Sequence, residues 1–295
     1  MHAQQQQQQP QLPLEQRNLS DLSDYEIAQL TSQLKEEQAS QRPLVGPLEP
    51  LDNLLHEYHN ETIVSKIKHL EQNSWTGLRR TRGDGDCFYR AFAFSYVERL
   101  VSQPASAAQL ALAKLESLMP LLDKAGFMKD IYDDFYEPLR ELLISLGPLP
   151  PGARPTLSSL HESFNDPEAS NAVVVFLRLL TSAYLKANSD EFTPFLFALD
   201  DDPRFLEGGT PTMDQFCSFH VEAVQKEADH IQITALTRAL QINVKIAYLD
   251  QSAVPVATGR FETDEVNFVE FEESAPERLN GALLYRPGHY DILYR

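Results

Sequence analysis

The stretch Leu284-Tyr285-Arg286-Pro287-Gly288-His289-Tyr290-Asp291-Ile292-Leu293-Tyr294 decides the architecture of this chain. Pro-Gly marks a tight turn, and the apolar and aromatic residues on both sides suit extended backbone, so strands are expected at 282–285 and 289–294. Working upstream, the alternation of Val244, Ile246 and Tyr248 predicts a strand at 243–248, and another β-rich run covers 266–271. Before residue 241 the apolar spacing is helical almost throughout. Helices first and strands last imply an α+β fold rather than alternating βαβ units.

Side chains two apart on a strand share a face. His289 and Asp291 therefore stand side by side, where the carboxylate can accept one ring proton and orient the other ring nitrogen toward a nucleophile. Two exposed polar residues on one sheet face would read the same way. The remaining histidines are weaker candidates: His2 lies in the glutamine-rich start, and His56, His59, His69 and His161 fall in polar stretches that look exposed. His220 and His230 sit on expected helices, and Asp229 beside His230 faces another direction.

A nucleophile is offered by Thr81-Arg-Gly-Asp84-Gly85-Asp86-Cys87-Phe-Tyr-Arg90, which places Cys87 in the first turn of a helix expected at 86–101, just after a glycine-containing loop. A free thiol has a pKa of about 8.5, and a helix N-terminus with a neighbouring imidazolium favours the thiolate. The same turn leaves backbone N–H groups without intrahelical partners, suited to a developing oxyanion. A capped helix, with Asp84 or Asp86 as its cap and Cys87 as a small inert residue, fits the segment too. Cys87 and His289 are separated by about 200 residues, so only a fold that sets the first core helix against the last strand makes them a pair.

Between these ends, 51–58 and 63–70 suggest short helices, followed by helices through 106–146, a proline-rich loop at 147–155, and helices near 211–225 and 229–240, the last capped by Asp229. Residues 170–186 are apolar nearly all round; Val173-Val174-Val175 also suits a strand, but the length favours a buried helix. The first 19 residues contain six consecutive glutamines and too few apolar side chains to offset ordering, so a disordered tail is expected. A one-sided helix follows, with Ile27, Leu30 and Leu34 on its stripe, forming an arm over 20–47 before a domain at 48–295. Packing of that arm on its own domain and docking to a partner fit it equally.

A net charge of −18 with no long basic run argues against a nucleic-acid partner and favours a basic one. Only two cysteines occur, Cys87 and Cys217, without metal-ligand spacing, so neither a metal nor any other cofactor is expected. No secretory signal or bilayer-length apolar run is visible, which implies no membrane association and a reduced, cytoplasmic setting, with the nucleus also open to it.

Asp84-Gly-Asp-Cys87-Phe-Tyr-Arg-Ala-Phe92 resembles the cysteine motif of the ovarian tumour (OTU) deubiquitinases, and Leu284 to Tyr294 resembles the histidine motif of their otubain branch. Phe176-Leu-Arg-Leu-Leu-Thr-Ser182, Glu207-Gly-Gly209 and Asp229-His-Ile231 resemble otubain segments in the same order. The resemblance, from about residue 42 to the end, implies a papain-like core of about 76–295 with helices flanking a small, mostly antiparallel sheet. It implies hydrolysis of isopeptide bonds between ubiquitins, with Cys87 as nucleophile, His289 as general base, Asp291 orienting it, and Asp84 in the loop that shapes the oxyanion hole. Two departures stand out: Asp86 where otubains commonly have Asn, and Gly83 where they commonly have Pro, which together imply low activity without substrate. Residues 30–45 resemble the helix with which arm-bearing otubains hold a proximal ubiquitin and engage ubiquitin-conjugating enzymes, implying preference for lysine-48-linked chains. Ubiquitin, its chains and conjugating enzymes are thus the expected partners of a monomer. A non-catalytic inhibitor of conjugating enzymes is the alternative, and a general thiol peptidase fits the triad but not the acidic surface.

Overall fold

The computed structural model describes residues 41–148, 154–196, 211–252, 254–255, 261–262, 264–271 and 278–295. The expected tail, the arm helix, most of the 147–155 loop and Glu207-Gly208-Gly209 lie outside those residues. The chain divides into two units, Met1–Arg42 and Pro43–Arg295, and every element named below belongs to the second. Its start differs from the expected break at 47, because strand β1 (Val45–Pro50) is already part of the main sheet.

After β1 come a 3-10 helix (Leu51–His56), α1 (Glu61–Gln72) and β2 (Gly77–Thr81). Six helices follow: α2 (Cys87–Val101), α3 (Ala105–Lys124), α4 (Lys129–Ser145), α5 (Leu157–Asn165), α6 (Pro167–Ala187) and α7 (Ser189–Leu196). The short α8 (Met213–Phe216) runs into a π turn (Cys217–Val221), and α9 (His230–Leu240) precedes β3 (Val244–Tyr248). β4 (Val254–Pro255) and β5 (Phe261–Glu262) form a separate two-stranded ladder, and β6 (Asn267–Phe271), β7 (Ala282–Arg286) and β8 (His289–Tyr294) complete the set.

The main sheet has the order β1-β2-β8-β7-β3-β6, antiparallel at every step except between β7 and β3. The last strand of the chain is therefore interior to the sheet. Alternation assigns its two faces: Ile246, Leu283, Tyr290 and Ile292 pack into a large cluster with α2 to α6 and α9, whereas Ala247, Leu284 and Leu293 pack with Leu51, Leu54, Ile63, Ile67 and Leu70. A sheet covered on both faces has strands that are apolar nearly throughout.

Two helices carry the site. α2 is buried on almost every side, which is why it lacks a polar stripe. α6 is opened by Pro167 and by Asp166, whose side chain accepts from the amides of Glu168 at 2.8 Å and Ala169 at 3.1 Å. That cap, with length, settles the Val173-Val174-Val175 run as helix. Each large apolar side chain of α6 that is fully buried, such as Phe176 and Leu180, contributes about 1.5–3 kcal/mol. Among the described residues no helix is long and apolar enough to cross a membrane.

Candidate active site

α2 packs on β8 through Phe88, whose ring meets that of Tyr290 edge-on at 5.4 Å. The residue before each partner is a candidate for chemistry. Cys87 opens α2 and is buried, and His289 opens β8. The Cys87 thiol lies near enough to the His289 ring to favour its charged form. The His289 Nε2 edge faces Asp291 Oδ1 at 2.8 Å, as the shared strand face requires. The structure thus brings together Cys87, His289 and Asp291.

Charges follow from this geometry. Burial disfavours the charged ring of His289, but hydrogen bonds with Asp291 and Cys87 and the charges of both outweigh it and lift the imidazole to about 9. Burial likewise opposes ionisation of Asp291. Its bond to His289, the charges of His289 and Arg286, and the Thr81 amide at 2.9 Å nevertheless hold it below the usual carboxylate range. The favoured resting form is an imidazolium held by a carboxylate.

The loop before α2 is shaped by its own acids. Asp86 is the N-cap residue, yet its side chain caps nothing. It turns instead to Arg178 of α6, accepting from Nε at 2.9 Å and from Nη2, and also accepts the Gln225 amide at 3.1 Å. Asp84 does not cap either: Oδ1 accepts the Asp86 amide at 3.0 Å and Oδ2 accepts from Arg90 Nη2 at 2.9 Å. With no side chain capping the first turn of α2, its amides are left for an incoming oxyanion. The capped-helix alternative thus lacks the cap it called for.

Glycine is required at Gly85, where φ is +83° and a Cβ would lie 2.4 Å from the backbone carbonyl of Gln225. The loop is thereby pressed against 221–226, whose carbonyls at Val221 and Lys226 accept from Arg178 at 3.0 and 2.6 Å. This is why the helix expected over 211–225 stops at Val221: its last carbonyl goes to an arginine, and Gln225 takes a left-handed φ of 59°. The Asp86 departure is answered here too, because the carboxylate beside the thiol is paired with a fully buried guanidinium. Gly83 leaves space against the imidazole, since a Cβ there would stand at ordinary contact, 3.5 Å from His289 Nδ1.

Sequence reasoning passed over Arg178, Arg286 and Thr81 as site residues. An arginine inside the apolar run of α6 was a usable signal, since a buried cation needs an anion. His161 also differs from its expected exposure: Nε2 lies 3.0 Å from Gly46 O and the ring packs edge-on to Phe94. Among the described residues no group of three His, Cys, Asp or Glu could hold a metal ion.

A thiol at a helix start, an imidazole on a strand and a buried carboxylate behind it, on a sheet flanked by helices, define a cysteine peptidase. Comparison with known proteins agrees. The family profile described as Peptidase C65 Otubain matches residues 37–295. An ovarian tumor domain-containing deubiquitinating enzyme 1 of Arabidopsis thaliana is 35% identical over 273 residues, covering 88% of this chain and 83% of that protein. Human ubiquitin thioesterase OTUB1 is 34% identical over 274 residues, covering 92% and 90%. A solved otubain bound to ubiquitin aldehyde and UBC13~Ub superposes with a TM-score of 0.73 at 30% identity, covering 92% of this chain and 98% of that one. The chain belongs to the otubain family of cysteine peptidases, within the OTU deubiquitinases.

Proposed function

We propose that this chain hydrolyses the isopeptide bond between the C-terminal glycine of one ubiquitin and a lysine of the next, with preference for lysine-48 linkage. The observation that carries the reading is the linked trio of Cys87, His289 and Asp291 at the junction of α2 and β8. Cys87 Sγ attacks the glycine carbonyl carbon, the oxyanion is met by amides of the first turn of α2, and the C–N bond breaks as His289 gives its proton to the leaving lysine amine. Water then attacks the thioester while His289 takes its proton, and Cys87 leaves as the thiolate beside the restored imidazolium. Asp291 orients the ring, and Asp84 holds the loop through the Asp86 amide and Arg90.

The segment expected as an arm, up to the start of β1 at Val45, is the part we assign to the proximal ubiquitin or to a conjugating enzyme. A second reading rests on the relatives solved with UBC13~Ub and UBCH5B~Ub: a non-catalytic restraint of conjugating enzymes by binding. We assign the protein to the cytoplasm, with the nucleus also accessible, a reading supported by its two free thiols, which suit a reducing compartment.

Cleavage of di-ubiquitins of every linkage, with and without residues 1–42, tests the proposal. Lysine-48 cleavage that disappears in Cys87→Ala is expected. Inhibition of chain synthesis that persists in Cys87→Ala, with no cleavage by the unaltered chain, would leave only the binding reading.

A further inference from the structure

The two-residue turn Pro287-Gly288 places Arg286 directly opposite His289 in the β7–β8 ladder, so Asp291, two residues further along β8, lies diagonally across from Arg286 on the same face. Arg286 Nη2 donates to Asp291 Oδ2 at 2.6 Å, on the side of the carboxylate away from His289. Asp291 is fully buried, so that second oxygen has no water to turn to. The guanidinium is gripped from outside: Nη1 lies 3.4 Å from Glu57 Oε2 and 3.4 Å from the Tyr58 hydroxyl. Glu57 in turn pairs with Arg80 at 2.6 Å, and Arg80 with Glu49 of β1. Alternating charges thus run from strand β1 to the carboxylate behind the imidazole.

We propose that Arg286 is a positioning residue of the reaction, fixing the rotation of the Asp291 carboxylate and thereby the direction in which His289 presents its proton to the scissile bond. Its hydrogen bonds run to Glu57, Tyr58 and Asp291, and it acts through Asp291. The inference deepens the cysteine-hydrolase reading of the same site and rests on it. A carboxylate held at Oδ2 by a cation and at Oδ1 by the Thr81 amide has one orientation left for its bond to His289. The cation also competes with the imidazolium for the same negative charge.

The groups facing His289 are Cys87 of α2, Asp291 of its own strand and Arg286 of β7, with Glu227 reaching Gly288 from the loop before α9; Gly83 adds no charge. Arg286→Gln keeps a donor for Oδ2 and removes the cation. It should lower kcat by on the order of 10–100-fold, as small misplacements of catalytic groups do, with KM unchanged. Its alkaline limb should move upward, by at least about half a pH unit, because the imidazolium no longer shares Asp291 with a second cation. Arg286→Lys should restore the limb toward wild type. Glu57→Gln, at a residue 41% exposed, leaves Arg286 less neutralised and should move the limb slightly downward.

The experiment measures kcat, KM and their pH profiles on lysine-48 di-ubiquitin for the full chain and these three variants, together with the His289 titration followed by NMR on imidazole-labelled protein. Opposite shifts for Arg286→Gln and Glu57→Gln in the NMR titration are the expected result. The proposal is overturned by a wild-type titration in both variants, or by a KM that rises while kcat holds, which would make Arg286 a substrate contact. Absence of cleavage by the wild-type chain would strike the proposed function instead, and the NMR titration would still decide the role of Arg286. If Arg286→Gln does not fold, Glu57→Gln carries the test alone.

Discussion

Arg178→Met reads the catalytic loop most directly. In the native protein this side chain is wholly buried, pairs with an Asp86 carboxylate that is 9% exposed, and lies with its guanidinium carbon 4.5 Å from the Tyr89 ring centre. It also donates to three carbonyls, those of Gly85, Val221 and Lys226. Methionine keeps the aliphatic stem and loses every donor. Removing one partner of a buried ion pair leaves the other uncompensated and costs about 3–5 kcal/mol. With a urea slope of about 3 kcal/mol per molar, the unfolding midpoint should fall by about 1–2 M. Asp86→Asn retains an acceptor and loses only the charged character of the bond, a cost of about 1.5–3 kcal/mol. The two substitutions share one interaction, so the double variant should cost about 1–3 kcal/mol less than their sum. Urea unfolding followed by Trp75 fluorescence and by circular dichroism measures all three. Strict additivity, or a midpoint within about 0.2 M of wild type for Arg178→Met, would refute the idea that this pair holds the loop.

Gly85→Ala drives a methyl group into the Gln225 carbonyl at a left-handed φ and should abolish labelling by a ubiquitin carrying a C-terminal electrophile, while circular dichroism reports whether the fold persists. Cleavage should decline as pH rises through about 9, where His289 loses the proton it gives to the leaving amine; a flat profile to pH 10 would contradict the assigned state of the ring. The same shift has a stability sign. A folded value of about 9 against an ordinary 6.5 means the His289 contribution is complete below about 6.5 and is lost as pH climbs through about 9, so His289→Gln should flatten stability over that window. Thr81→Val removes the hydroxyl bond to Tyr290 O and should lower stability by about 1 kcal/mol in thermal unfolding while leaving the amide that serves Asp291 in place.

Much of this was legible because the elements that matter obey simple periods. β7 and β8 announce themselves by a Pro-Gly turn between apolar runs, and a two-residue period alone put His289 beside Asp291. α2 and α9 were readable from apolar spacing and their entry turns. β1 and β2 were not, since Gly77-Leu78-Arg79-Arg80-Thr81 has one large aliphatic residue. Its arginines do the packing of apolar residues: Arg79 lies over the rings of Phe94 and Tyr294 at 5.4 and 5.9 Å, and Arg80 joins Glu49 and Glu57. The polar α5 and the proline-containing α7 escaped for lack of a long stripe. The meeting of Cys87 with His289, and the service of Arg178 and Arg286 behind them, join residues far apart in the chain, and no local pattern encodes such a distance.

The interior place of β8 has a temporal consequence for biosynthesis. Its neighbours β2 and β7 can be aligned only after β8 itself has left the ribosome, because Tyr294 and Ile292 must slot against Gly77 and Arg79. A nascent chain therefore carries the Cys87 thiol long before it carries the His289 ring, and the proposed chemistry waits for β8 to be in place. A chain without β8 would lose both the link between β2 and β7 and the His289 imidazole.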